Sequence, residues 1–172
     1  MEMKNTKLRS SATQNAWLLL FAIFFLGALA GCLLCGGGQS FAVALAQQLI
    51  ARDDPRTYFL LAAIPLAMLF AAGFFSFGKL LTPVVFFIRG AVSGLQTAQL
   101  AMTNSASDYL LQAASRFLPD YLVLNALVLL GRQALLFSNQ RRQRPDSAFF
   151  YTAVIGLFAA LLATFLRELL PR

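Results

Sequence analysis

The chain has 172 residues, of which 59% are hydrophobic and 17 are Phe, with a formal net charge of +7 and no histidine. Such a balance excludes an ordinary soluble domain, where apolar residues make up closer to half of the chain. The missing imidazole also excludes Ser-His or Cys-His nucleophile pairs and histidine proton shuttles.

The apolar residues gather in five runs, at about 16–36, 58–78, 80–102, 119–138 and 148–169. Each is long enough for a helix to cross a bilayer, which takes roughly 20 residues. The runs are continuous and rich in Leu, Phe and Ala, whereas a membrane β-barrel would need short alternating segments. Helices satisfy their own backbone in lipid, so the expected fold is all-α, a bundle of five transmembrane helices in a single integral membrane domain over 1–172.

Lys4, Lys7 and Arg9 precede the first run. With "AWLLLFAIFFLGA" and then "LAGC" at 29–32, they have the layout of a lipoprotein signal in which Cys32 would be lipidated after cleavage. The same residues read as a retained first span, with Gly27 and Gly31 as a small-residue packing face. Cys32 and Cys35 form a C-x-x-C, which in a soluble setting suggests redox chemistry and at the end of an apolar span suggests two small packing residues. A zinc site would need two further thiolate or imidazole ligands, and the chain has no other cysteine, so no metal or other cofactor is expected.

Between the first two runs, "QSFAVALAQQLIARDDPR" repeats apolar residues at Phe41, Leu45 and Leu49, one side of an amphipathic helix that Ser40 could cap and Pro55 would stop. It reads either as a partner-docking or membrane-surface element, or as a lid over the outer mouth of the bundle. The second and third runs make a tight hairpin around Gly78 and Lys79. Arg89 then stands inside "FFIRGAVSG" with no acidic neighbour, about 13 Å from the edge of its span. Arginine at that depth costs roughly 2.5–3.5 kcal/mol on insertion scales and must find a partner or a watery cavity. Gly90 and Gly94 beside it let another backbone approach.

The fourth apolar segment is too long for one perpendicular helix, and Pro119 is expected to break it into a short piece at about 108–118 and a full span. Asp120 follows as the only acidic residue at the head of a span, so Arg89 pairs with Asp120 or with carbonyls freed by Pro119, and Arg116 competes for the same carboxylate. Two readings stand for this cluster: a structural polar clasp, or a transport or ligand site.

Seven flanking cations, Lys4, Lys7, Arg9, Lys79, Arg141, Arg142 and Arg144, fall on one side of the membrane, and Arg52, Arg56, Arg167 and Arg172 on the other. The preference of Lys and Arg for cytoplasmic loops predicts the N-terminus in and the C-terminus out. "QRRQRP" reads as a topology anchor near anionic lipid, and no nucleic-acid partner is expected. Asp53 and Asp54 are the only adjacent carboxylates and sit in a turn, while Ser93-Gly94 has no candidate base beside it. The residues therefore point away from an enzyme.

Two stretches carry a likeness to a known family. "FGKLLTPVVFFIRGAVSG" (77–94) and "RFLPDYLVLNALVLLGRQALLFS" (116–138) resemble the stage II sporulation protein M family, with Arg89 where the family has lysine, and with Gly90, Gly94 and Pro119 matching. The chain departs from wider relatives in having Asp120 with no histidine after that proline, and Ala126 at the place of a second proline. The resemblance implies a non-enzymatic scaffold in the bacterial cytoplasmic membrane, at the septal or engulfing membrane. Its partners would be membrane lipid and membrane-anchored peptidoglycan hydrolases, a lytic transglycosylase and an amidase/endopeptidase. A homo-oligomer is compatible with either reading of the cluster. The alternative is a small transporter or channel subunit with an arginine-lined polar cavity for an anion or lipid headgroup.

Overall fold

A computed structural model describes residues 2–37, 43–44, 54–139 and 147–169, with side chains from residue 15 onward. The docking residues Phe41, Leu45 and Leu49 expected from the sequence lie outside the described residues. Among the described residues five long helices follow one another: α1 (Glu2–Gly36), α2 (Pro55–Ala72), α3 (Gly78–Thr103), α4 (Ala106–Asn139) and α5 (Ser147–Leu169). All five are long and apolar enough to cross a membrane.

Only 22–39% of each span is buried inside the protein, and Leu18, Leu33, Leu80 and Phe158 stand 70% or more exposed. A soluble protein does not leave apolar surface of that extent facing water, so these faces meet lipid. The inner faces join in a main core around Leu20, Leu66, Leu69, Phe86, Val123, Leu127, Leu130 and Phe149, with a smaller cluster at Cys35 and Leu95.

α1 and α3 meet through glycine. A Cβ on Gly27 would fall on the carbonyl oxygen of Phe87, and one on Gly31 on that of Ala91. From the other side, Gly90 lies against the carbonyl of Phe24 and Gly94 against that of Ala28. Partner numbers rise together along the two helices, so they run parallel, and two small-residue stripes interlock with backbone against backbone. Cys32 Sγ donates to the Gly94 carbonyl at 3.3 Å and Cys35 Sγ to Gln99 Oε1 at 3.7 Å, which extends the seam upward.

The remaining helices alternate in direction. Gly131 of α4 lies against the Phe86 ring of α3, and Phe137 of α4 against Phe149 of α5. α2 packs on α5 with Leu66 near Gly156 and Gly73 near the Phe149 ring. At this end of the bundle Phe70 stacks on Phe149 at 5.3 Å between centroids, with Phe74 and Phe150 edge-on.

Two expectations are corrected here. The hairpin after the second span turns at 73–77, not at Gly78 and Lys79, and Gly78 opens α3. Its "FFSF" is apolar enough to read as membrane, but Gly78 must come within contact of the Ala72 carbonyl, and only a glycine there permits so sharp a return. The second correction concerns Pro119, which does not break its segment: α4 is one continuous helix of 34 residues. Breaking a helix among packed spans would strand several backbone groups, whereas an internal proline frees little more than one carbonyl. Pro65 and Pro83 likewise sit inside α2 and α3.

Candidate functional site: a charged cluster joining four helices

Arg89 lies about 16 Å along α3 from Gly78, near the middle of a hydrocarbon layer of about 30 Å. Its side chain is only 10% exposed, and Nη2 stands 3.6 Å from Asp120 Oδ1 on α4. The same Oδ1 accepts a hydrogen bond of 3.0 Å from the Tyr58 hydroxyl of α2. Over the Tyr58 ring, at 4.3 Å from its centroid, lies the guanidinium of Arg167 from the last turn of α5. A single carboxylate thus joins three helices, and a cation–π contact brings in the fourth.

Local sequence explains how these groups reach one another. Asp54 caps α2 by accepting from the Arg56 amide at 2.9 Å and from Thr57 Oγ1 at 3.3 Å, with Pro55 at the first helical position, which starts α2 one turn before Tyr58. Ser105 and Asp108 form a capping pair at the head of α4: Ser105 Oγ donates to Asp108 Oδ2 at 2.6 Å and accepts from the Asp108 amide at 3.3 Å. Asn104 Nδ2 ties to Gln112 Oε1 at 3.3 Å across the same turn.

Neither Tyr58 nor Arg167 was singled out by sequence reasoning. Each had a signal: a hydroxyl just inside the mouth of an apolar span, and a cation in the last turn of another, on the side of the bundle that the first half of α4 shares.

Beside the cluster, α3 and α4 part to leave a cleft of about 230 Å³ lined by Ser93, Gln96, Thr97, Tyr109, Arg116 and Asp120, with Phe117 and Leu100 at its edge. Arg116, the expected competitor for Asp120, is therefore a cleft residue alongside it. Pro119 is buried between them and the core, and Ser115 Oγ donates back to the Gln112 carbonyl at 2.9 Å. A second hollow of about 170 Å³, between α2 and α3, is lined by Leu61, Ile64, Pro65, Met68 and Arg89, and is almost wholly apolar.

Gly27, Gly31, Gly90 and Gly94 all lie in the α1–α3 seam, apart from the charged cluster although Gly90 adjoins Arg89 in sequence. Both cysteines are free thiols in that seam. Among the described residues no three His, Cys, Asp or Glu come together as a metal site would require. Among the described residues the buried polar atoms Thr82 Oγ1, Arg132 Nε and Gln133 Oε1 have no hydrogen-bond partner, and all belong to the half of α3 and α4 remote from the cleft. Set against known proteins, the chain matches no family model, no curated protein and no solved structure.

Proposed function

We propose that this chain is a non-enzymatic scaffold of the bacterial cytoplasmic membrane that holds membrane-anchored peptidoglycan hydrolases, a lytic transglycosylase and an amidase/endopeptidase, at a septal or engulfing membrane. Its N-terminus lies in the cytoplasm and its C-terminus outside. The placing of the cations supports that orientation, and the resemblance of 77–94 and 116–138 to the stage II sporulation protein M family supports the partners.

The observation that favours a scaffold over a transporter is the engagement of the deep charges with one another. Arg89, Asp120 and Tyr58 form one short network, with Arg89 nearly enclosed. Charges that line a transport path need water and room to change partners. Charges that hold helices need the reverse, and a rigid bundle with broad apolar faces on α1 and α5 suits the docking of other anchors.

The test is purification of the tagged chain from its native membrane in mild detergent, with identification of what accompanies it. Wall hydrolases should be recovered with the parent and lost when Phe41, Leu45 and Leu49 are changed together to Ser. Recovery of no hydrolase, together with solute or lipid movement by the reconstituted chain, would overturn the scaffold in favour of the transporter.

A further inference from the structure

The guanidinium of Arg89 carries five N–H donors. Among the described residues it makes no hydrogen bond, and its one close polar contact is the ion pair of 3.6 Å with Asp120 Oδ1, an oxygen that already accepts from Tyr58. Buried donors are seldom left without an acceptor. Arg89 is also the one polar side chain lining the hollow of about 170 Å³ between α2 and α3. Ile64 and Ile88, each more than half exposed, line the same hollow, so it opens sideways to lipid.

Helix geometry gives its depth. At 1.5 Å per residue, its lining on α3 runs from Val85 to Val92, about 10 to 21 Å from Gly78, and its lining on α2 runs from Met68 to Leu61, about 6 to 16 Å from Ala72 at the same end. The hollow therefore spans the middle of a hydrocarbon layer of about 30 Å.

Depth and charge narrow what can sit there. A water molecule needs two to four polar partners, and an apolar cavity with fewer stays dry. An acyl chain fills the space but brings no acceptor to the guanidinium. An anion brings one charge too many, because Asp120 already balances Arg89 and a second carboxylate or a phosphate would stand unpaired in hydrocarbon. The ester carbonyls of phospholipids lie at the edges of the layer, about 15 Å from its middle. What fits is an uncharged molecule that dissolves in the interior of the bilayer and carries a bare carbonyl oxygen. Size adds a shape: an apolar cavity of about 150 Å³ admits benzene, so this hollow suits one substituted ring.

We propose that the hollow between α2 and α3 binds the ring of a membrane-dissolved quinone. One ring carbonyl accepts from the Arg89 guanidinium, the ring packs among Pro65, Val85 and Val92 with the Met68 thioether at its edge, and the apolar tail leaves past Ile64 and Ile88 into lipid. This assignment stands apart from the scaffold reading, since it needs no hydrolase and rests on the hollow alone.

Duroquinone and hexamethylbenzene make a matched pair of probes, the second having methyl groups where the first has its two carbonyls, and the fully substituted ring spares the free thiols. Binding is measured as the excess held by nanodiscs of dioleoyl phosphatidylcholine carrying the full chain over empty nanodiscs. The parent should bind duroquinone about tenfold more tightly than hexamethylbenzene, the scale of one hydrogen bond to a charged donor. Arg89→Leu with Asp120→Leu removes the donor without leaving a buried charge, and should bring the two affinities together. Ile88→Trp fills the mouth from the lipid side and should reduce the binding of both probes about tenfold or more at parental helix content. Equal binding of the two probes by the parent would overturn the proposal and leave the hollow as a groove for acyl chains. A preference for duroquinone that survives both variants would overturn it as well, by placing the quinone elsewhere.

Discussion

The two faces of α3 hold their neighbours by opposite means. On one side Gly90 and Gly94 meet α1 backbone against backbone, with one weak thiol hydrogen bond from Cys32 to the Gly94 carbonyl, and Gly27 and Gly31 answer from the other helix. On the other side Arg89 reaches a carboxylate on α4, and above it the helices separate into a polar cleft. Lipid tails are as apolar as leucine, so apolar side chains bring no hydrophobic gain from helix pairing inside a bilayer. The comparison teaches that one helix uses both remaining devices: removal of side chains where the backbones can meet, and polar partners where they cannot.

The largest expected effect breaks the glycine side. Gly90→Ile would drive a branched side chain into the Phe24 carbonyl and the Ala28 amide, both backbone atoms that cannot swing aside. Overpacking of that kind costs about 3 kcal/mol or more. Thermal unfolding in detergent should show it, and a cysteine crosslink placed across α1 and α3 should be lost with it. An unchanged midpoint would mean that the seam is looser than drawn.

The charged side should respond less, and non-additively. Breaking one member of a buried ion pair commonly costs 3–5 kcal/mol, but the Asp120 side chain is 41% exposed, so Arg89→Leu is expected to cost about 2 kcal/mol. Adding Asp120→Leu should recover much of that loss, and Arg89→Lys should be tolerated. Tyr58→Phe removes one hydrogen bond and should cost about 1 kcal/mol. Single variants as stable as the parent would show that Arg89 and Asp120 do not depend on each other.

The smallest effect sharpens the comparison at its outer end. Cys32→Ala removes a weak S–H donor from the Gly94 carbonyl and should cost about 0.5 kcal/mol or less. The intact mass of the parent should be the same with and without an inhibitor of lipoprotein signal cleavage. Cleavage before Cys32 would remove Gly27, Gly31 and the core residue Leu20 together. A shortened, lipid-bearing mass would overturn the α1–α3 seam as a feature of the mature protein.

Sequence alone was informative where one residue type has one cheap solution. A lone arginine in an apolar run directed attention to Asp120, the acid beside Pro119, and the two lie 3.6 Å apart, although Asp120 sits inside α4 and does not head it. Spacing of four between glycines pointed to close helix approach. It failed where the answer depends on the relative height of two helices. Tyr58 and Arg167 each face solvent or lipid in any reading of their own segment, and their meeting requires α2 and α5 to end at the level of Asp120. It failed at the 73–77 turn because its five aromatic and small residues read as membrane, and at Pro119 because the rule for helix breaking assumes water is present to take up the freed groups.

The order in which these helices are made matters for the α1–α3 seam. Ala91, which receives Gly31, is synthesised 60 positions later, with α2 in between. At about 5–20 residues per second, α1 waits roughly 3–12 s for its proper neighbour while its bare glycine stripe is already in the bilayer. During that interval any other small-residue stripe can bind it, including α1 of a second nascent chain. Crowded synthesis from one messenger therefore favours mispaired first helices, and α3 must displace them as it emerges.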